Sequence, residues 1–243
     1  MEYFNSPNIS QKYDEQPLHT EMAKRIGKAL LKAYPFDDET TTVLDFACGT
    51  GLNSRILAPY ANAILGVDIS EEMVLKYNER VGNQGIPEDE MHAICLPEEL
   101  LKDELHPEIY EKGKQSEFQT ALGGRKFDVA ICCMSYHHFP SISSITHLLA
   151  SILNPGGFLF VADVESIPRP STIDDPEYEP LFSNGVCEAG IVMHKYGFSK
   201  QDMRNVFAEA GLGDGFKYEI ATQAIKHGKP VNIFLATGIK PLL

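Results

Sequence analysis

The chain has no apolar run approaching the roughly 18–20 residues that span a bilayer. Its longest such run is residues 129–134, so a membrane protein is not expected. The first residues, Met1-Glu2-Tyr3-Phe4-Asn5, lack the basic and then apolar stretch of a secretory signal. Cysteine is sparse. The five cysteines are odd in number and contain no C-x-x-C pair, only the vicinal Cys132-Cys133, so neither a disulfide framework nor a zinc site is spelled out. Basic residues are outnumbered, 21 Lys and Arg against 34 Asp and Glu, for a net charge of −13. General nucleic-acid binding rests on phosphate neutralisation, and this balance argues against it. Repeats and low-complexity tracts are missing too. With 43% hydrophobic and 23% charged residues, a mainly disordered chain is excluded. The expectation is one acidic domain over residues 1–243, in the cytoplasm.

From residue 41 onward, short apolar runs alternate with segments of helical period. Strands are expected at 41–47, 62–69, 90–96, 127–133 and 157–163, the fourth a continuous apolar run suited to burial on both faces. Between them, Ser70 can cap a helix carrying Met73, Val74, Tyr77 and Val81 and stopping at Gly82. Ser141 opens another with Ile142, Ile145, Leu148, Leu149 and Ile152 at three- and four-residue steps, ended by Asn154-Pro155-Gly156-Gly157. Ser199 and Asp202 spell a capping box, with Phe198 as staple and Gly211 as stop. Runs 216–220 and 231–237 have no helix between them, so they should pair antiparallel. The fold class expected is α/β, a Rossmann-like three-layer sandwich. Its seven-stranded, mostly parallel sheet ends in an antiparallel C-terminal hairpin.

Three segments stand outside that rhythm. Residues 1–40 form a leader with a helix expected over 19–34. Residues 97–126 are an acidic insert, read as a solvated surface loop. Residues 164–198 hold four prolines and little periodicity. Ligands of open α/β sheets bind beyond the carboxyl ends of the strands, which makes the leader and the last segment natural lids.

The residues that carry chemistry begin at Val43-Leu44-Asp45-Phe46-Ala47-Cys48-Gly49-Thr50-Gly51, an apolar strand entering a glycine turn and then a helix. Glycines let a ligand approach the backbone, and a helix N-terminus offers unpaired N–H groups. In Gly66-Val67-Asp68-Ile69-Ser70 an acid ends the second strand, as an acceptor for ribose hydroxyls would. Nicotinamide-dinucleotide sites share both devices, although the third glycine of their fingerprint falls at Ser54.

These residues resemble class I S-adenosylmethionine-dependent methyltransferases of the small-molecule, ubiquinone-biosynthesis-like and fungal secondary-metabolism type. V-L-D-F-A-C-G-T-G is similar to their motif I, with Ala47 in place of the usual first glycine. G-V-D-I-S is similar to motif II, F-D-V-A-I-C-C-M-S-Y-H-H-F (127–139) to motif IV, and L-N-P-G-G-F-L-F-V-A-D (153–163) to the helix-to-strand-five motif. His194-Lys195-Tyr196-Gly197-Phe198-Ser199 is similar to an element before their last helix. The resemblance implies S-adenosylmethionine as methyl donor and S-adenosylhomocysteine as product. It implies that Asp45 organises the loop, that Ala47, Gly49 and Gly51 make room for the methionine portion, and that Asp68 holds the ribose. Ile69 and Met73 would line the adenine, with Met73 equally suited to a helix core. Where the family often has an acid, this chain has Ile94-Cys95-Leu96-Pro97, so the adenine amine falls to groups around Cys95 and Leu96. Cys132 sits where the family places small residues beside the donor, and packing is the competing role.

Transfer from an activated sulfonium needs alignment above all, and needs a base only where the acceptor must lose a proton. His137, His194 and Tyr13 are the candidates on the acceptor side, with His137 facing the pocket and His138 packing as a structural residue. No acidic pair follows Asp163, so no metal is expected. The acceptor is expected to be a small molecule, through oxygen, nitrogen, sulfur or carbon. A binding or regulatory protein of the same fold without turnover, and an NAD-type oxidoreductase, are the alternatives.

Overall fold

The computed structural model describes residues 7–100, 107–166, 192–226 and 229–242. Most of the expected lid, 167–191, lies outside these described residues. The strands are β1 Thr42–Phe46, β2 Ala63–Asp68, β3 Met91–Cys95, β4 Phe127–Cys133, β5 Leu153–Val164, β6 Lys217–Lys226 and β7 Lys229–Ile239. The α-helices are α1 Pro7–Tyr13, α2 Pro17–Ala33, α3 Leu52–Leu57, α4 Glu71–Asn83, α5 Pro107–Ala121, α6 Ile142–Ser151 and α7 Lys200–Glu209.

The strands form one sheet in the order β3-β2-β1-β4-β5-β7-β6. The first five run parallel, whereas β7 pairs antiparallel with both β5 and β6. The expected hairpin is thus present, inserted so that its second strand is the inner one. Strand alternation builds two cores from one sheet. On β4, Ala130 and Cys132 pack with Phe118 of α5, Leu148 and Leu149 of α6 and Phe207 of α7. Val129, Ile131 and Cys133 point the other way, toward Ile26 and Leu30 of α2, Leu57 of α3 and Tyr77 of α4. Each such apolar side chain contributes roughly 1.5–3 kcal/mol when fully buried. Ser70 and Ser141 cap α4 and α6, and Ser199 with Asp202 closes the capping box of α7.

Two expectations change. The segment 97–126 is not a solvated loop: it contains α5, whose Phe118 is fully buried, with Leu122 just beyond it. Its many charges hide a crossover helix that needs only one apolar stripe. Strand β5 starts at Leu153, not Gly157, because the Asn-Pro-Gly-Gly stretch continues the strand. The register shifts between Phe127 and Val129 of β4, and Gly156 takes a positive φ of 80°. The leader also carries a second short helix, α1, before the expected one.

β1 has β2 on one side and β4 on the other, so the chain reverses its direction of travel across the sheet here. Such a switch point opens a crevice beyond the carboxyl ends of β1 and β4. Asp45, Asp68, the turn 47–51 and the residues after β4 all lie at that end.

Candidate functional site

Beyond β1 the backbone makes a turn that few side chains tolerate. Ala47 has φ 57°, Gly49 52° and Gly51 81°. A residue with a Cβ in this region costs roughly 1–2 kcal/mol, and here Ala47 bears that strain. Gly51 is required twice, since a Cβ there would also stand 2.6 Å from Tyr77 Cδ2. Gly49 differs: a Cβ on it would meet nothing within 4 Å. The turn therefore borders open space at Gly49 and rests on an aromatic floor at Gly51.

Asp68, half-buried at the end of β2, ties that turn down. Its Oδ2 accepts from the Gly49 amide at 2.8 Å and its Oδ1 from the Ser70 amide at 2.9 Å. Burial pushes its carboxyl above the usual range, and the backbone N–H groups of Ser70, Gly49 and Ile69 oppose that. Asp45 is more deeply enclosed, at 2% exposure. Ser54 Oγ donates to it at 2.6 Å. Burial raises its pKa to about 7, against the Ser54 hydrogen bond and with help from the Asp68 charge. The residue in the place of a third glycine is thus a partner for Asp45.

The other candidate donor contacts are placed as follows. Ile69 is partly buried beside the core formed with α5–α7, and Met73 is buried in the first turn of α4. Cys95 is exposed at the end of β3. Leu96 is buried in that same core, and its amide donates to the Asp68 carbonyl at 2.7 Å. Cys132 is fully buried there as well, and burial drives its thiol pKa well up. Packing accounts for the position of Leu96 and Cys132.

Past β4, Met134 takes φ 57° and a 3₁₀ turn, Tyr136–His138, follows. His137 is 5% exposed and sits against Asp163 of β5, itself at 0%. His137 Nδ1 lies 2.9 Å from Asp163 Oδ1 and 3.0 Å from Oδ2. The same carboxylate accepts from the His137 and Val164 amides at 3.2 and 2.7 Å. Burial would raise the Asp163 pKa, but the His137 charge and these donors outweigh it and lower it. His138 is the more exposed of the pair, its ring 4.1 Å from that of His137. The expectation that His138 is the packed one is therefore corrected. The 3₁₀ turn advances each side chain by about 120°, in place of strand alternation, and swings His137 onto β5.

His194 joins this loop through its backbone. The His137 carbonyl accepts from the Met193 and His194 amides at 2.9 and 3.1 Å, and His194 Nε2 donates to the Phe139 carbonyl at 3.0 Å. Tyr13 ends α1, with its ring centroid 4.2 Å from that of His19. The next residue, Asp14, makes ion pairs with Arg55 and Arg80 at 2.6 and 2.8 Å and accepts from the Thr50 hydroxyl. Sequence reasoning missed Asp14, Arg55 and Arg80, whose pairing over tens of residues leaves no local signature. It also missed Asp163 as a partner for His137, although its place at the end of a strand facing the crevice was a usable signal. Among the described residues, no group of three or more His, Cys, Asp or Glu could hold a metal ion. Nor is any described helix long and apolar enough to cross a membrane.

Comparison with known proteins adds an independent line. A model of the methyltransferase domain matches residues 18–213. An uncharacterized methyltransferase of Schizosaccharomyces pombe is 34% identical over 213 residues, 82% of this chain and 66% of that protein. The ubiquinone biosynthesis O-methyltransferase of Pseudoalteromonas translucida is 26% identical over 134 residues, 55% of this chain and 47% of that enzyme. The chain thus spans between about half and two thirds of the length of these relatives. The crystal structure of a SAM-dependent methyltransferase from Aquifex aeolicus superposes with a TM-score of 0.56 at 16% identity, covering 95% of this chain and 98% of that one. At that identity the likeness concerns the fold.

Proposed function

The chain belongs to the methyltransferase domain family, and on that premise we propose that it transfers a methyl group from S-adenosylmethionine to a small-molecule acceptor. The observation that carries this reading is the pairing of the Asp68 carboxylate with the open side of Gly49 at the switch point. A carboxylate offers about four lone-pair sites. The Gly49, Ser70 and Ile69 amides use up to three, so the Asp68 oxygens retain capacity for a ribose hydroxyl. The empty volume beside Gly49 suits a ligand lying against the backbone, which supports room for the methionine portion at Ala47, Gly49 and Gly51. Asp45 and Ser54 hold the loop from beneath.

When bound, S-adenosylmethionine supplies a methyl group on a positively charged sulfur, ready for in-line displacement. The protein's part is alignment in a space closed to water, a contribution worth up to roughly 7–11 kcal/mol. His137 is the group best arranged to take a proton from an acceptor that carries one. Asp163 accepts from Nδ1 of His137, which holds the imidazole in a fixed orientation at the crevice end of β5. His194 spends its Nε2 on the Phe139 carbonyl, which supports a role in holding the β4 loop. Tyr13, next to Asp14 at the end of α1, is the acceptor-side candidate on the leader.

Calorimetric titration with S-adenosylmethionine, S-adenosylhomocysteine and NADH tests the donor. Binding of the first two and not the third is expected; binding of NADH alone would overturn the reading. Methyl-labelled donor incubated with a metabolite extract then identifies the acceptor.

A further inference from the structure

We propose that Asp14 is a positioning residue of the donor site: clamped between Arg55 and Arg80, its carboxylate locks the glycine turn in its receiving shape. The leader then belongs to the site itself. This inference rests on the donor reading above and deepens it.

The clamp has three anchors, each on a different element. Asp14 follows α1, Arg55 lies on α3 and Arg80 is in the last turn of α4. Asp14 Oδ2 takes both guanidinium groups, Arg55 Nη2 at 2.6 Å and Arg80 Nη1 at 2.8 Å. Its Oδ1 accepts from Thr50 Oγ1, and Thr50 is 1% exposed in the middle of the turn. Both arginines reach on to the turn's backbone. Arg55 Nε donates to the Gly51 carbonyl at 3.3 Å, and Arg80 Nη1 to the Thr50 carbonyl at 3.5 Å. Thr50 and Gly51 are thereby held through side chain and carbonyls together, while the Gly49 amide is held by Asp68 on the opposite flank.

An exposed ion pair would carry little weight. This one is different in burial and in connection: the Arg55, Arg80 and Asp14 side chains are only 23%, 16% and 13% exposed. One carboxylate also separates two like charges. Burial and the Arg55 charge pull Arg80 below the usual guanidinium range, and Asp14 opposes them. Without Asp14 the arginines repel each other beside a turn that already bears left-handed strain at Ala47. The turn then has reason to relax away from the shape in which the Gly49 amide and the Asp68 carboxylate face one ligand. Coupling between two sites is reciprocal, so what the clamp adds to donor affinity, the donor adds to closure of the leader.

The test uses the full chain, titrated with S-adenosylhomocysteine by calorimetry, together with amide hydrogen exchange of residues 48–52 without ligand. Asp14→Asn should weaken S-adenosylhomocysteine about tenfold and speed exchange at 48–52, with a lowered but still cooperative melting transition, because the two arginines lose the carboxylate between them. Thr50→Val, which removes only the hydroxyl, should weaken it about threefold. Glu15→Gln, an exposed neighbour, should change neither readout. Affinity within twofold of wild type in folded Asp14→Asn overturns the proposal whatever the exchange shows. Weakened affinity with unchanged exchange overturns locking of the turn as the route. If Asp14→Asn fails to fold, Thr50→Val and Arg80→Met carry the same two readouts. If wild type itself does not bind S-adenosylhomocysteine, the donor reading fails, and exchange at 48–52 still tells whether Asp14 locks the turn.

Discussion

The two banks of the crevice are built differently. On the β1–β2 bank, carboxylates hold backbone: Asp68 takes the Gly49 and Ser70 amides, and Ser54 is called in only to support Asp45. On the β4–β5 bank, a carboxylate holds a side chain as well as backbone: besides the His137 and Val164 amides, Asp163 grips the imidazole of His137 across 26 residues of sequence. Backbone amides are the same whatever the residue, so the first bank can tolerate exchange of many side chains as long as the turn is kept. The second bank stands or falls with one pair. A surface that receives a constant ligand suits the first construction, and a surface that must act on a particular proton suits the second.

Removing His137 should strain this contrast most. His137→Ala leaves the Asp163 carboxylate buried without its main partner, a loss of roughly 3–5 kcal/mol in stability, and methyl transfer to a protonated acceptor should slow. His138→Ala, at the more exposed position, should cost less than about 1 kcal/mol. Paired thermal melts decide, and equal losses would show that the imidazole–carboxylate pair is not what holds this bank.

The next largest effect concerns pH on the donor bank. The Asp45 pKa lies near 7 in the folded chain, raised from the usual 3.8 by burial. The folded state therefore keeps a proton that the unfolded state has lost between about pH 4 and 7. Stability is greatest below that window, falls as pH rises through it and is lowest above it. The ceiling is roughly 1.36 kcal/mol for each unit of the rise. Asp45→Asn should flatten this slope, gaining on wild type at pH 8 and matching it near pH 4, in denaturant titrations across that range. A slope unchanged by the substitution would mean that Asp45 is charged at no cost. Asp68 is raised in the same direction, so some slope should persist.

Third, Asp68→Ala should weaken S-adenosylmethionine and S-adenosylhomocysteine alike, by roughly 1.5–3 kcal/mol, because the two share one ribose diol. Unequal losses, or none in a folded variant, would take the ribose away from Asp68. The smallest effect is expected at Ala47. Ala47→Gly relieves left-handed strain but adds freedom to the unfolded chain, and the two should cancel to within about 0.5 kcal/mol. A clear gain in melting temperature would mark the alanine as held there at a real cost.

The difference between the banks also explains what could be read without coordinates. The β1–β2 bank is written in adjacent letters, V-L-D-F-A-C-G-T-G and G-V-D-I-S, because a strand, a turn and a helix start must follow one another in the chain. The succession of strands and helices along the chain, the capping residues Ser70, Ser141 and Ser199 and the antiparallel end were legible for the same reason. The partnership of His137 with Asp163 depends on register between β4 and β5, where Cys133 pairs with Ala162, and on a 3₁₀ turn that breaks strand alternation. Neither is encoded locally, so the roles of His137 and His138 came out inverted in burial. The same holds for Asp14, whose partners Arg55 and Arg80 are gathered by three elements. Helix α5 was obscured by composition, since the buried Phe118 stands among many charges and gives little amphipathic contrast.

The reversed last strand decides where anything fastened to the tail of the chain emerges. β7 runs against β5, pairing Phe234 with Asp163 at the crevice end and Ile239 with Phe158 at the other. Five residues at about 3.3 Å each separate those levels, roughly 17 Å. A fluorophore, affinity handle or bead attached beyond Lys240 therefore leaves from the far rim of the sheet. An immobilised copy would present its open mouth to the solution.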